Sequence, residues 1–444
     1  MDTPICDFAR NYAASDALRL HMPGHKGSSF LGIEGLDLTE IDGADSLYEA
    51  DGIIHRSEEN ASRLFGCQTF YSTEGSSQCI RAMLYLAMLH GKEQGREPLI
   101  AAARNVHKTF LSAAALLDLE VTWLYPEERD SYLTCRISPE RLEEMFRCTE
   151  KPTAVYLTSP DYLGQLADIA GLAAVCHRHG ALLLVDNAHG AYLRFLEPSQ
   201  HPIDLGADLC CDSAHKTLPV LTGGAYLHIG RHVDALAGHA KNALALFGST
   251  SPSYLILQSL DAANGYLETH RERLAAFLPR LAELKKTLDA AGYPLVEQEP
   301  LKLTIRTKAF GYTGTALAGI LLEQHIVCEF ADPDHLVLML TPENGGEDLD
   351  RLRAALLRIP KRSALPELPP QPSPGERACS PRAAMLSPHE TIPVEQSLGR
   401  ILASPCVGCP PAVPILVCGE RIDHQAIRCF RYYGIESVSV VREK

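Results

Sequence analysis

Lys216 lies in the run Asp212-Ser213-Ala214-His215-Lys216-Thr217-Leu218, directly after the short apolar stretch Asp208–Cys211. Thirty residues upstream, Leu182-Leu183-Leu184-Val185 ends on Asp186 and continues into Asn187-Ala188-His189. A lysine amine can form a Schiff base, and a carboxylate can keep a pyridine nitrogen protonated. An acid at one strand end and a lysine just past the next is the pairing that pyridoxal phosphate requires. The spacing therefore predicts an enzyme that acts on an amino acid.

Further residues suit the same chemistry. Tyr71-Ser72-Thr73-Glu74-Gly75-Ser76-Ser77-Gln78 places small and hydroxylated residues at the start of a predicted helix. Open backbone N–H groups and the helix dipole make such a start an anion seat, here for a cofactor phosphate. An ordinary helix cap is the alternative. His107, in Arg104-Asn105-Val106-His107-Lys108, follows a predicted strand and suits stacking on a flat ring; a satisfied loop histidine is the other reading. Ala188 is small enough to pack under that ring. Lys216 precedes Gly223-Gly224, and a lysine in a dry pocket becomes nucleophilic as its pKa falls. Gly24-His25-Lys26-Gly27-Ser28-Ser29 lacks the glycine spacing of a nucleotide loop and follows no strand. Cys406-Val407-Gly408-Cys409 with Cys418 is a single CxxC, insufficient for a zinc site.

The elements that must position these groups alternate along the chain. Predicted strands are 99–103, 121–125, 154–158, 182–186, 208–212 and 224–229; predicted helices are 52–65, 76–90, 109–117, 139–146 and 169–179. Short apolar runs between helices predict an α/β fold with a mostly parallel sheet covered on both faces. Ligands of such sheets bind beyond the carboxyl ends of the strands, where Asp186, His107 and Lys216 fall. The first forty residues are weakly periodic and are expected to form an ordered arm. A large cofactor-binding domain is expected over 41–255. A smaller α+β domain follows over 256–360, helical to about Gly292 and then with strands at 301–307 and 335–340. A Pro-rich linker spans 361–384, and a C-terminal subdomain with strands at 415–418 and 437–440 spans 385–444.

With 444 residues, 46% of them hydrophobic, a sizeable core is available. The net charge of −14 opposes nucleic acid as a main partner. The 14 scattered cysteines suit reduced thiols in the cytoplasm, no secretory leader is apparent, and no apolar run is long enough for a membrane span.

Taken together, these motifs resemble the ornithine/lysine/arginine decarboxylases of pyridoxal phosphate fold type I. The form it resembles is the shorter one, without an N-terminal receiver-like wing. The resemblance rests on His21-Met22-Pro23-Gly24-His25-Lys26-Gly27, Thr39-Glu40-Ile41, Asp45-Ser46-Leu47, Asp186-Asn187-Ala188-His189-Gly190, Ser213-Ala214-His215-Lys216, and a tail running through Pro393-Val394-Glu395, Gly399-Arg400-Ile401 and Pro410-Pro411 to Gly419-Glu420. It implies that Lys216 bonds the cofactor, Asp186 pairs with the ring nitrogen and His107 stacks on the ring, with His189 nearby. Gly75, Ser76, Ser77, Ser213 and His215 would hold or neighbour the phosphate. Gly248-Ser249-Thr250-Ser251-Pro252 is similar to a family segment that reaches the neighbouring subunit's phosphate, implying a homodimer with composite active sites. Glu395 is similar to an acid near the substrate entrance. Cys409 stands where the family usually has an aromatic residue.

The expected reaction is α-decarboxylation of lysine, ornithine or arginine to a diamine or agmatine, a step of polyamine biosynthesis, with Lys216 or His215 returning a proton to Cα. An aminotransferase or another lyase of the same fold is the alternative, with Arg306 as its carboxylate clamp. A pyridoxal phosphate-binding regulator without turnover is the reading from another class.

Overall fold

The computed structural model describes residues 1–127, 131–148, 151–296, 299–405 and 411–443. Cys406 and Cys409 lie outside the described residues. The chain divides into two compact units: Met1–Pro98, Lys151–Val155 and Ile169–Leu274 form the first, and Leu99–Glu150, Tyr156–Asp168 and Ala275–Lys444 the second.

The largest sheet uses β1 (Gln68–Ser72), β2 (Leu99–Ala103), β3 (Glu120–Leu124), β4 (Ala154–Thr158), β5 (Leu182–Asp186), β6 (Leu209–Asp212) and β7 (Ala225–Ile229), in the order β1-β7-β6-β5-β4-β2-β3. β5 pairs with β6 in parallel, as β2 does with β3; β7 runs antiparallel to β6, and β1 antiparallel to β7. All five residues of β5 and all four of β6 are buried, as expected of apolar runs without alternation in a sheet covered on both faces. Every predicted strand of this sheet is present within a residue of its expected ends, and β1 is an additional strand. Its Tyr71 is fully buried, with its hydroxyl on Ser57 Oγ at 2.8 Å and on Asn264 Nδ2 at 2.8 Å.

The N-terminal arm requires a correction. Pro4–Ala13 is an α-helix whose Ile5, Cys6 and Ala9 are buried in the first unit. Pro4 suits a first helical position, which needs no N–H. The N–H groups of Ile5 and Cys6 donate to Asp261 Oδ2 at 3.0 and 2.9 Å, so the cap comes from a residue far along the chain. After this helix the segment is irregular, and Leu18, Leu20, Met22, Phe30 and Leu31 are 69–83% exposed.

In the second unit, β8 (Leu295–Val296), β9 (Lys302–Arg306), β10 (Phe330–Ala331) and β11 (His335–Met339) form an antiparallel sheet in the order β10-β11-β9-β8. The C-terminal part pairs β12 (His389–Pro393) with β13 (Ser437–Val441) over a core of Leu402, Phe430, Val438 and Val440. The predicted strand at 415–418 is absent. Those residues are buried, but the carbonyls of Pro414 and Ile415 accept from the Arg104 guanidinium instead of a ladder, each at 3.4 Å. Among the described residues no helix is long and apolar enough to cross a membrane.

His270 opens the helix His270–Ala290 and is fully buried between Phe195 and Tyr266. Neither ring nitrogen has a hydrogen-bond partner among the described residues. Burial, reinforced by Arg273, pushes its pKa down to about 4. The unfolded chain then binds a proton at higher pH than the native one, so this residue removes stability as pH falls from about 6.5 to about 4. The loss is about 3 kcal/mol, and a His270→Leu variant should lack it. Urea midpoints of both proteins across that range check this; parallel curves contradict it.

Candidate active site

Two turns of the first unit carry most of the expected site. The first follows β5. Asp186 is 2% exposed, and its Oδ1 accepts from the Ala188 N–H at 3.2 Å and lies 3.7 Å from Cys211 Sγ. Ala188 and His189 are buried just beyond it. The second follows β6 as a single helical turn, Ala214–Thr217. It brings Lys216 Nζ within 2.9 Å of His189 Nε2. An imidazole lone pair at that distance can take a proton from the ammonium and leave a nucleophilic amine. Burial, with the Lys216 charge adding to it, lowers the pKa of His215, while its contact with the Gly224 carbonyl opposes the shift.

A third segment closes on the second. Gly75 caps the 18-residue helix Ser76–Glu93 at φ +70°, and its N–H donates to the Gly223 carbonyl at 2.7 Å. Gly223 has φ +101°, and a Cβ there would meet the Thr73 carbonyl at 2.9 Å. Both positions therefore call for glycine. Ser213 Oγ donates to Ser76 Oγ at 2.7 Å, which puts two hydroxyls at the helix N-terminus. Ser77 is half-buried on the same first turn. Hydroxyls, free N–H groups and a helix dipole meeting at one point suit a phosphate.

Beneath the turns lies a network that the sequence reading missed. Asp212 is fully buried; its Oδ2 sits 3.1 Å from His201 Nε2 and 3.1 Å from His228 Nε2, and its Oδ1 accepts from Asn187 Nδ2 at 2.7 Å. Burial alone would raise the pKa of Asp212, but the two imidazoles hold it below the usual carboxylate range. One ionised carboxylate on β6 thus fastens Asn187, the neighbour of Asp186, beside Ser213.

The remaining predicted residues fall elsewhere. Ser249 and Thr250 are exposed in the first unit, with the Ser249 N–H 3.3 Å from Glu74 Oε1. His107 belongs to the second unit, where it caps the helix Lys108–Leu117 through Nδ1, which accepts from the Thr109 N–H at 3.2 Å. Glu395 is exposed on the turn Val394–Gln396, and its Oε1 lies 3.1 Å from Arg431 Nε. A substrate cation at Glu395 must compete with that guanidinium. Arg306 ends β9 and lines a 510 Å³ cavity with Lys308 and Asp334.

The first unit fits pyridoxal phosphate. It offers an amine beside a proton acceptor, a buried carboxylate at a neighbouring strand end, a small residue two positions on, and a hydroxyl-lined helix N-terminus. Comparison with known proteins points the same way. Residues 3–293 match the sequence profile of the Orn/Lys/Arg decarboxylase major domain. An uncharacterized Bacillus subtilis protein, YaaO, is 29% identical over 96% of this chain and 93% of its own. An arginine decarboxylase of Bacillus subtilis is 28% identical over 96% of this chain and 92% of its own. Among solved structures, lysine decarboxylase A from Pseudomonas aeruginosa superposes with a TM-score of 0.81 at 17% identity, over 99% of this chain and 80% of that one. Sphingomonas wittichii serine palmitoyltransferase gives 0.56 at 16% identity, over 80% and 83%.

Proposed function

The chain belongs to the Orn/Lys/Arg decarboxylase family, and on that premise we propose how its own residues carry the reaction. It is a pyridoxal phosphate-dependent decarboxylase of a basic amino acid, with the fold type I architecture expected from its strand pattern. The observation that carries the residue assignment is the Lys216–His189 contact, one turn away from the buried Asp186.

Pyridoxal phosphate supplies an electron sink for the pair left when CO2 departs. His189 accepts the proton that Lys216 must lose before its amine can bond the cofactor. Asp186, buried at the end of β5, would keep a proton on the ring nitrogen. Ser76, Ser77, Ser213 and the N–H groups that follow Gly75 hold the phosphate, with His215 beside them. Ala188 would pack against the ring, and the stacking role expected of His107 rests on the family membership. After CO2 leaves, Lys216 Nζ or His215 returns a proton to the substrate Cα. The role expected of Glu395, an acid for the distal cation of the substrate, would require it to give up Arg431 for that cation. Arginine is the substrate expected first, because curated relatives aligned over 96–97% of this chain are named arginine decarboxylases.

The working form we infer is a homodimer. Five large apolar side chains between Leu18 and Leu31 stand in solvent on the isolated chain, and a partner that covers them removes the cost of that exposure. Ser249 and Thr250, exposed on the same unit, are available to a neighbouring site. Light scattering should give twice the 48.5 kDa chain mass; a monomer at working concentration refutes the dimer.

The deciding experiment incubates the holoenzyme separately with arginine, lysine and ornithine and identifies the product. Agmatine, cadaverine or putrescine together with CO2 supports the reading. Turnover that requires an α-keto acid acceptor would make the protein an aminotransferase instead.

A further inference from the structure

The first unit holds a second cluster of chemically active side chains, at the end of the sheet away from Lys216. Asp208 immediately precedes β6 and is 1% exposed. Its main chain is fixed on both sides: the Asp208 N–H donates to the Leu183 carbonyl at 2.9 Å, and the Gly230 N–H donates to the Asp208 carbonyl at 2.8 Å. Its Oδ2 accepts from the Leu183 N–H at 2.6 Å and faces His177 Nε2 at 3.0 Å, while Oδ1 faces His232 Nε2 at 2.6 Å. His177 ends the helix Ile169–Arg178, and His232 lies in the turn Arg231–His239 after β7. Their side chains are 40% and 45% exposed, and the rings meet edge to face at 5.0 Å. Three segments distant in sequence thus aim two imidazoles at one buried carboxylate.

We propose that His177, Asp208 and His232 form a site for one divalent transition-metal ion of the zinc, cobalt or nickel type. The three ligand atoms lie within 4.8 Å of one another. Around a tetrahedral ion with bonds near 2.0 Å, neighbouring ligand atoms stand about 3.3 Å apart. The His177 contact at 3.0 Å and the His232 contact at 2.6 Å need to open by about 0.3 and 0.7 Å to reach that spacing, and the half-exposed imidazoles have room to move. Asp208 is held by the Leu183 N–H, the kind of outer contact that fixes a metal-bound carboxylate. The donor set of two imidazoles and one carboxylate selects borderline ions over calcium or magnesium, which prefer all-oxygen shells. The exposed side of the cluster leaves a fourth position to water. Asp208, just before β6, and Asp212, at its end, lie four residues apart along extended chain, about 13 Å. The ion therefore acts as a clasp on the helix end, strand and turn, independent of the cofactor.

Calorimetric titration of the holoenzyme with ZnCl2 near neutral pH tests this, with MgCl2 as control. One ion per chain should bind saturably, with a rise in melting temperature, and magnesium should do neither. His177→Ala and His232→Ala should each weaken zinc binding by more than about 100-fold, beyond the loss seen when only outer contacts of a metal site are removed. Both side chains are half-exposed and lie outside the decarboxylation site, so turnover should be unchanged. The cysteines can also take zinc, so the His177→Ala/His232→Ala double variant isolates the clasp. Zinc uptake by that double variant equal to wild type overturns the site, as does the absence of saturable binding in the wild-type protein.

Discussion

Lys216→Ala is expected to abolish the visible absorption of the covalently held cofactor and to lower turnover by about 10⁴-fold or more, the scale seen when an enzyme loses its nucleophile. The argument is local. Lys216 Nζ lies 2.9 Å from His189 Nε2, and no other residue of that turn brings an amine to the imidazole. The turn itself survives truncation, because its bonds are made by the main chain: the Lys216 N–H donates to the Ser213 carbonyl at 3.0 Å and the Leu218 N–H to the Ala214 carbonyl at 2.9 Å. Far-ultraviolet dichroism should therefore match wild type. Lys216→Arg should fail as completely, since a guanidinium keeps its proton and is no nucleophile. Undiminished CO2 release from either variant would refute the assignment.

Asp186→Asn should be the next most damaging change, with a loss of about 10²–10³-fold in kcat, the range for removing one preorganised electrostatic contact. Asparagine keeps the shape and the oxygen that accepts from the Ala188 N–H; it removes only the charge. Buried at the end of β5, that charge has little water to screen it, and its effect on a ring proton is large. The cofactor should still bind through the phosphate cradle, so the defect appears in kcat more than in cofactor retention. A variant that turns over within about threefold of wild type, well short of that loss, would show that the carboxylate acts elsewhere.

Much of this was legible in the sequence because the relevant information is local. Leu182–Asp186 is an unbroken apolar run that stops on an acid, and β5 occupies that range with every residue buried. Gly75 with Ser76 marked a helix start that the structure places there. Other features depend on residues far apart. The helix Pro4–Ala13 is capped by Asp261 rather than by its own flank, so its local pattern looked like an arm. Ile415–Cys418 has the composition of a strand, but Arg104 takes the carbonyls of Pro414 and Ile415. His201 and His228 stand 11 and 16 residues from Asp212. The antiparallel register that pairs Cys210 with His228 brings the second of them to the carboxylate. Sequence spacing offered no sign of that meeting; an acid placed between a buried strand and Ser213 was the one hint.

That shared carboxylate has a consequence for how the cradle comes apart. Asp212 fastens Asn187 on one side and carries Ser213 on the other, so neither turn can loosen while its mate stays put. Amide hydrogens of both stretches should then exchange with deuterium at one common rate in the apoprotein, as a single opening event. Two clearly different rates would mean that the keel holds only one of them.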